Sequence, residues 1–353
     1  MNQVITDPTQ VSAQWLTDVL TASKALTAGR VKDFKADDSV STNGHITRIR
    51  VDYDADAKGS LPRSLLLKMC RNESGFVKDS EVKYYAQDYV QLPDAPIPPC
   101  YDAQFSSQTD SYHILMEDMS ATHDKDTKPS LEYGKSVARA LAKMHAYGWG
   151  ADRIKSLGGA VQGTSALEKY LNHTSQGVRP LLKEIQGNHS QEEVVKMVFA
   201  TLPAKLRARM EDPNGFAIVH GDLNPGNILF PKSGAGKVYF LDRQPFVWSL
   251  TTWLAASDLA YMMVPFWEVE ARRELEILIL KEYHEHLVAN GIANYRWEEL
   301  LEDYKLTAMQ TFYVVSEWNI IDDDRERMRW LWTKELQRAI ALFHDVEAPR
   351  ILR

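Results

Sequence analysis

The 353-residue sequence predicts an α+β fold in two lobes, a small lobe built on an antiparallel sheet and a large, mostly helical lobe. Short apolar strand patterns separated by turns occupy much of residues 1–115, whereas long apolar patterns of helical period follow residue 121. The length and the 44% hydrophobic content are sufficient for two cores. We therefore expect residues 116–120 to form a hinge between a small lobe, residues 1–115, and a helical lobe, residues 121–353.

Composition narrows the possible partners. The net charge of −7 argues against a nucleic-acid partner, which calls for a basic face. No run reaches the ~20 apolar residues that a membrane-spanning helix requires, and residues 1–7 lack the pattern of a secretory signal. The only two cysteines, Cys70 and Cys100, favour a reducing compartment. We expect a cytoplasmic protein without a membrane or nucleic-acid partner.

The small lobe begins with a helix and a strand pair. Residues 7–10 have the composition of a helix start, and the apolar residues that follow predict a short amphipathic helix through residue 20. Next, residues 41–45 form a polar turn before a strand that contains Val51 and Tyr53. In this turn Ser41 and Gly44 could offer backbone N–H groups to a phosphate, because glycine permits close approach. An ordinary hairpin turn fits the same residues equally well.

A lysine and a glutamate follow at strand and helix positions. Lys68 ends the apolar strand run of residues 65–68, and Glu81 opens a helical candidate over residues 81–85. A cation at a strand end can hold nucleotide phosphates if a carboxylate fixes its position. The alternatives are a lysine that extends its ammonium into solvent and a solvated glutamate on a helix.

The next strand candidate, residues 112–116, leads directly into the predicted hinge. A nucleotide base at such a connection would contact backbone groups, here the carbonyl of Glu117 and the amide of Met119. A plain linker between lobes would have the same geometry.

The large lobe is predicted to be helical over residues 133–147, 268–290 and 329–345, with a mostly helical insertion over 157–215. Its catalytic candidate is the stretch His220-Gly221-Asp222-Leu223-Asn224-Pro225-Gly226-Asn227. Strand candidates flank it at 216–219 and 228–230, and a further strand, 238–241, ends on Asp242. Phosphoryl-transfer sites of this layout use one Asp for the substrate hydroxyl, an Asn five residues later for metal, and a second Asp for the same metal. The alternative is that Asp222 and Asn227 are turn residues.

Together these motifs resemble the aminoglycoside phosphotransferase and choline kinase superfamily. Within it, the chain is most similar to the ecdysteroid-kinase-like small-molecule phosphotransferases, through residues 98–103, 115–120, 141–146 and 258–262. The resemblance implies a two-lobed protein-kinase-like fold, with ATP and Mg²⁺ as cofactors. It also implies that Asp222 is the catalytic residue, that Asn227 and Asp242 hold Mg²⁺, that Lys68 holds nucleotide phosphate and that Glu81 positions Lys68.

Two further residues are implied as structural supports of the site. His220 resembles the histidine that anchors the catalytic loop, and Asp258 resembles the aspartate that braces this loop from a following helix. The chain departs from its relatives at Arg243, where they often carry Trp, and at residues 223–226, where Ala-His-Pro-Trp is commoner.

We therefore expect ATP- and Mg²⁺-dependent phosphorylation of a small-molecule hydroxyl. A protein kinase is the nearest alternative, but Asn224 stands where such enzymes usually carry Lys, and Asp242-Arg243-Gln244 replaces Asp-Phe-Gly. A catalytically silent scaffold that binds nucleotide or another ligand is the other alternative. GTP could replace ATP, and the acceptor stays open.

Seven of the nine tryptophans lie from Trp248 onward, where an acceptor pocket would be built. Aromatic walls suit a ring or a cationic amine. Trp267 and Trp318 are the preferred candidates because their neighbours Glu268, Glu317 and Asn319 are polar, although core packing is the commoner fate of any single Trp.

Overall fold

The computed structural model describes residues 4–41, 44–71, 78–157, 163–244 and 246–352. The chain divides into two compact units, residues 1–124 with 231–247 and residues 125–230 with 248–353. The segment that carries Asp242 thus belongs to the first unit by its contacts. The lobe boundaries at residues 115 and 121 stay a prediction.

The elements are named here in chain order. The first are α1 (Ala13–Ala22), β1 (Leu26–Ala28), β2 (Val31–Ser41), β3 (Gly44–Tyr53), β4 (Lys58–Gly59), β5 (Ser64–Arg71), α2 (Ser80–Lys83), β6 (Cys100–Ser106), β7 (Ser111–Glu117) and β8 (His123–Asp124). There follow α3 (Leu131–Tyr147), α4 (Ala151–Ser156), α5 (Thr164–Ser175), α6 (Val178–Glu184), α7 (His189–Arg209), β9 (Phe216–Ile218), β10 (Ile228–Pro231), β11 (Tyr239–Phe240) and β12 (Thr252–Leu254). The last are α8 (Ala256–Met263), α9 (Val269–Ala289), α10 (Trp297–Ala308), α11 (Thr311–Trp318), α12 (Asp322–Arg327), α13 (Arg329–Asp345) and α14 (Ala348–Leu352).

The first unit is built on a five-stranded sheet in the order β2-β3-β5-β7-β6, with every neighbouring pair antiparallel. Successive side chains of a strand point to opposite faces. Leu65, Leu67 and Met69 of β5 therefore share one face, and they form a buried core with Leu16 and Val19 of α1 and with their apolar neighbours. The intervening side chain of Lys68 points away from this core. The predicted small lobe with an antiparallel sheet is confirmed.

The first helix begins later than the sequence pattern indicated. Asp7 caps only a single 3₁₀ turn over Pro8–Gln10, and the chain is extended at Val11. The helix α1 begins after Ser12, whose hydroxyl accepts a hydrogen bond from the Trp15 amide. Two capping signals lie close together, and the second one is the true helix start.

The second unit is helical, which confirms the prediction for the large lobe. Helices α3, α9 and α13 coincide with the predicted segments to within two residues at either end. Gly134 lets α3 approach α9 closely, because a Cβ at this position would lie 2.3 Å from Ile279. A large apolar core joins α5, α7, α11 and α13. No helix in the described part of the chain is long and apolar enough to cross a membrane.

Short strands flank the loop that carries Asp222 and the segment that carries Asp242. In the second unit β9 pairs antiparallel with β12, with Ile218 opposite Thr252. The strand predicted over 238–241 is confined to β11, which lies in the segment assigned to the first unit.

Candidate functional site

The first unit holds an ionic cluster centred on Lys68. The Nζ of Lys68, on β5, donates to Glu81 Oε1 at 2.7 Å and to Asp242 Oδ1 at 2.9 Å. Glu81 belongs to α2, and its second oxygen accepts a hydrogen bond from the hydroxyl of Tyr112 on β7. The structure thus brings together three of the residues that the sequence singled out.

Because the cluster is buried, the charge of each of its members depends on the charges of the others. Burial alone would lower the pKa of the Lys68 ammonium, but the charges of Glu81 and Asp242 outweigh it and leave the pKa raised. Burial also raises the pKa of Glu81, and Lys68 opposes that rise. Taking two charges out of water costs several kcal/mol per ion, so either partner left alone would be strongly unfavourable. The pair therefore holds the lysine in one place.

Asp242 sits on a backbone that the neighbouring residues fix. Its φ of +57° lies in the left-handed region, which aspartate tolerates better than most residues. The amide of Asp242 donates to the hydroxyl of Tyr85 at 3.3 Å. Next along the chain, the buried guanidinium of Arg243 pairs with the buried carboxylate of Asp88. The arginine that departs from the family pattern is thus an anchor for the segment that carries Asp242.

The side chain of Asp118 holds the predicted hinge. It lies between Glu117 and Met119, the two residues whose backbone groups are expected to contact a nucleotide base. Strand β7 ends at Glu117, and Met119 opens a 3₁₀ turn. Between them, Asp118 Oδ2 accepts from Arg48 Nε at 2.7 Å and from Ser64 Oγ at 3.1 Å. Burial would raise the pKa of Asp118, but hydrogen bonds from Ser120 and the hydrogen bond and charge of Arg48 hold the pKa below its ordinary value. The backbone of Glu117 and Met119 therefore has a defined conformation.

Ser41 and Gly44 face each other at the end of the β2–β3 hairpin. The turn residues between them, Thr42 and Asn43, lie outside the described part of the chain. This placement suits both the phosphate-binding hypothesis and an ordinary hairpin turn.

The second unit holds the loop that carries Asp222, and Asp258 braces it. From α8, the buried carboxylate of Asp258 accepts the amide N–H of His220 at 2.7 Å and that of Gly221 at 2.8 Å. Gly221 has φ +80°, which favours glycine there. His145 Nε2 lies 3.1 Å from Asp258 Oδ2, and its Nδ1 lies 2.7 Å from the hydroxyl of Tyr283.

The electrostatics of Asp258 agree with this bracing role. Burial would raise its pKa, but the hydrogen bond from His145 and the backbone N–H groups keep the pKa below the ordinary value. Asp258 is therefore an ionised acceptor that fixes the backbone just before Asp222. The family resemblance implied this bracing role for Asp258, whereas the contact of His145 with it appears only in the fold.

Asp222 lies in a network of polar side chains that orients both of its oxygens. Asn224 Nδ2 is 3.1 Å from Oδ1, and Asn227 Nδ2 is 3.2 Å from Oδ2. Burial, and next the charge of Asp222, raises the pKa of the Tyr261 phenol well above its ordinary value. His220 Nδ1 accepts the amide N–H of Asp222 at 3.2 Å, so this ring nitrogen acts as a structural acceptor. A half-buried carboxylate in a fixed orientation can align a hydroxyl and accept its proton.

The side chains of Asn227 and Asp242 have the chemistry that Mg²⁺ prefers. The amide nitrogen of Asn227 donates to the carbonyl of Asp222 at 2.8 Å. An amide oxygen, such as that of Asn227, is a ligand type that suits a hard cation. Asp242 supplies a carboxylate. Among the described residues no group of three or more His, Cys, Asp or Glu side chains could hold a metal. A cation bound by one or two protein oxygens together with substrate phosphates is the usual Mg²⁺ arrangement.

The two tryptophans named as pocket candidates differ in their surroundings. Trp267 is 1% exposed and packs against Tyr133, so its interpretation as a pocket wall is wrong. Trp318 is half-buried, and its indole N–H has no hydrogen-bond partner among the described residues. Trp318 is therefore the one that could still face a ligand.

Comparison with known structures defines the class of this fold. Spectinomycin phosphotransferase in complex with ADP and spectinomycin is similar at a TM-score of 0.55 and 12% identity, over 94% of this chain and 99% of that chain. The ethanolamine kinase of Plasmodium vivax is similar at a TM-score of 0.54 and 12% identity, over 87% of this chain and 81% of that chain. The fold is that of the kinase-like phosphotransferases of small molecules.

Sequence comparison makes the placement more specific. The profile of the ecdysteroid kinase-like family matches residues 80–292, more than half of the chain. The chain belongs to the ecdysteroid kinase-like family. No curated protein matches it significantly.

Proposed function

We propose that the protein transfers the γ-phosphoryl group of ATP, with Mg²⁺, to a hydroxyl group of a small molecule. The observation that carries this proposal is the orientation of Asp222 by Asn224 and Asn227 on a loop that Asp258 braces. A solvated turn does not need a buried carboxylate to hold its backbone. The family placement supports a kinase-like enzyme.

Asp222 is the proposed catalytic residue. Its carboxylate aligns the acceptor hydroxyl and takes its proton, while the acceptor oxygen bonds to the γ-phosphorus and the bond to the ADP oxygen breaks. Mg²⁺ supplies positive charge that neutralises the phosphates, and Asn227 and Asp242 would each offer it an oxygen. His220 and Asp258 keep the loop in place.

The first unit supplies the proposed nucleotide contacts. Lys68, fixed by Glu81, would hold nucleotide phosphates through its ammonium. The carbonyl of Glu117 and the amide of Met119 would contact the adenine, and Ser41 and Gly44 would approach the phosphates. Backbone contacts of this kind are compatible with GTP as well as ATP. A cytoplasmic location is part of the same proposal.

The experiment that tests the function uses the full chain with Mg²⁺-ATP. ADP release is measured against a panel of amino alcohols, aminoglycosides, sugars and steroid alcohols, with casein as a protein acceptor. Nucleotide affinity is measured separately by calorimetry. We expect tight Mg²⁺-ATP binding and ADP release stimulated by a small-molecule alcohol.

Two outcomes would contradict the proposal. Tight nucleotide binding without ADP release from any acceptor would favour the silent scaffold. ADP release with casein alone, together with phosphorylated casein, would favour a protein kinase.

A further inference from the structure

The first unit contains an open cleft that is lined by none of the proposed nucleotide contacts. Its volume is about 410 Å³, which is within the range of pockets that bind small ligands. Three arginines from β3 and from the chain just before β5 line it with three other polar residues: Arg48, Arg50, Arg63, Ser64, Asp118 and Ser120. The cleft therefore presents three cations and a single carboxylate.

The antiparallel pairing of β3 with β5 brings the arginines together. Arg48 and Arg50 are two residues apart on β3, so their side chains share one face of the sheet. Arg50 lies opposite Ser64 of β5, and the carbonyl of Arg63 accepts the amide N–H of Val51 at 3.0 Å. Backbone pairing thus holds the three arginines side by side.

The carboxylate of the cleft, Asp118, is satisfied by its own partners. Its Oδ2 accepts from Arg48 Nε at 2.7 Å and from Ser64 Oγ at 3.1 Å, and its Oδ1 accepts the amide N–H of Ser120 at 3.0 Å. The bond at Nε orients the guanidinium of Arg48. It also leaves the N–H groups of the two terminal nitrogens of Arg48 without a hydrogen-bond partner among the described residues.

The other two arginines have no carboxylate partner. Arg50 and Arg63 are exposed, and neither forms an ion pair or a side-chain hydrogen bond with any residue that the structure describes. On β2, Lys35 lies opposite Arg50 and Asp37 lies opposite Arg48, so this strand adds no net charge to the group. Like charges that lie close together on a sheet are destabilising. An anion bound among them would relieve this repulsion.

The cleft is separate from the proposed phosphate contact at Lys68. Ser64 precedes Lys68 by four residues on β5, which corresponds to about 13 Å along an extended strand. An anion at the arginines would therefore not be the phosphate chain that Lys68 is proposed to hold.

The donors of the cleft suit a phosphate group on a small molecule. Guanidinium groups bind phosphate oxygens through two parallel hydrogen bonds, which a simple halide cannot accept. The volume of the cleft leaves room for an organic part beside the phosphate. A nucleic acid would call for a broad basic face, whereas the chain carries a net charge of −7.

We propose that Arg48, Arg50 and Arg63 form a binding site for the phosphate group of a small molecule, separate from the nucleotide site. Arg50 and Arg63 supply cations that no carboxylate neutralises. Arg48, oriented by Asp118, supplies the N–H groups of its terminal nitrogens. The inference stands independently of the proposed function, because it uses none of the residues assigned to phosphoryl transfer.

The test measures binding of inorganic phosphate and of glycerol 2-phosphate to the full chain, with glycerol as the uncharged counterpart. Calorimetric titrations are run at constant ionic strength, because added salt screens charges and would imitate a weakened site. Arg50→Gln and Arg63→Gln are compared with Arg30→Gln, which removes the same charge from an arginine of the first unit that pairs with Asp54. Thermal melts without phosphate check that every variant is folded.

We expect wild type to bind both phosphates and not glycerol. Arg50→Gln and Arg63→Gln should each weaken binding of glycerol 2-phosphate about tenfold to a hundredfold, which is the scale of a charge-assisted hydrogen bond, while Arg30→Gln should leave it unchanged. Tighter binding of glycerol 2-phosphate than of inorganic phosphate would identify an organic phosphate as the ligand, and the reverse order would identify free phosphate.

Three results would overturn the proposal. The first is an absence of phosphate binding by wild type. The second is an unchanged affinity in Arg50→Gln and Arg63→Gln, which would place the bound phosphate elsewhere in the protein. The third is an equal loss of affinity in Arg30→Gln, which would show a general effect of charge instead of a site.

Discussion

Glu335 makes a prediction about stability that needs no substrate. This residue of α13 is buried, and burial raises its pKa in the folded protein to about 8, against an ordinary value of 4.5. Between these values the folded state holds a proton that the unfolded state has lost. The free energy of unfolding should therefore fall as the pH rises through this window, because the unfolded state binds fewer protons.

The magnitude follows from the shift. One pKa unit corresponds to about 1.4 kcal/mol, so Glu335 should cost the protein at most about 4 kcal/mol of stability between pH 5 and pH 8. Glutamine has the same shape and does not ionise, so Glu335→Gln removes this contribution. Relative to wild type, the variant should gain stability progressively as the pH rises.

The assay is urea unfolding of both proteins at pH 5, 6, 7 and 8. The difference between variant and wild type isolates Glu335, because the other titrating groups are common to both proteins. Glu302→Gln, which removes an exposed carboxylate from α10, is the matched control, and its difference from wild type should show no trend. A constant difference between Glu335→Gln and wild type across this range would refute a strongly raised pKa.

The remaining predictions concern the two groups of site residues. Lys68→Ala and Glu81→Ala should each lower kcat/KM. Because the two residues are in contact, the loss in the double variant should be smaller than the sum of the two single losses by about 0.5–3 kcal/mol. Strict additivity in this double-mutant cycle would show that the two residues are not coupled. Asp242→Ala should weaken Mg²⁺-dependent ATP binding more than Asn227→Ala does, because it removes a charge. Mg²⁺ titrations at fixed ATP concentration measure this effect. An unchanged Mg²⁺ requirement in Asp242→Ala would contradict a metal-binding role for Asp242. Asp258→Asn should lower thermal stability and slow ADP release, since one amide cannot accept all the donors that meet the carboxylate; wild-type values of both would show that the loop does not need this brace.

The sequence predicts those features that are local in the chain. Alternation in β5 and helical period in α3, α9 and α13 indicate elements directly, because each pattern reflects one buried face. The loop from His220 to Asn227 is also local, so its residues could be recognised from spacing alone. The helix start at residues 7–10 was misplaced because two capping signals occur within a few residues.

Contacts between distant segments could not be predicted in this way. His145 and Asp258 lie 113 residues apart, and only packing brings them together. Glu335 resembles any other charged residue of a helix in the sequence, and its burial appears only in the fold. Trp267 was misassigned because Glu268 points out to pair with Arg338 while Trp267 itself turns into the core. Polar neighbours in sequence do not show which way a side chain points.

The most direct test of the central claim is phosphoryl transfer by Asp222→Asn. Transfer from ATP to the acceptor that releases most ADP in the panel is followed by ³¹P NMR, with nucleotide affinity and thermal melts measured on the same samples. The amide cannot accept the hydroxyl proton, and a general base typically contributes about a hundredfold to ten-thousandfold. We therefore predict a loss of transfer on that scale, with ATP affinity and melting temperature retained. Transfer at the wild-type rate would contradict the account.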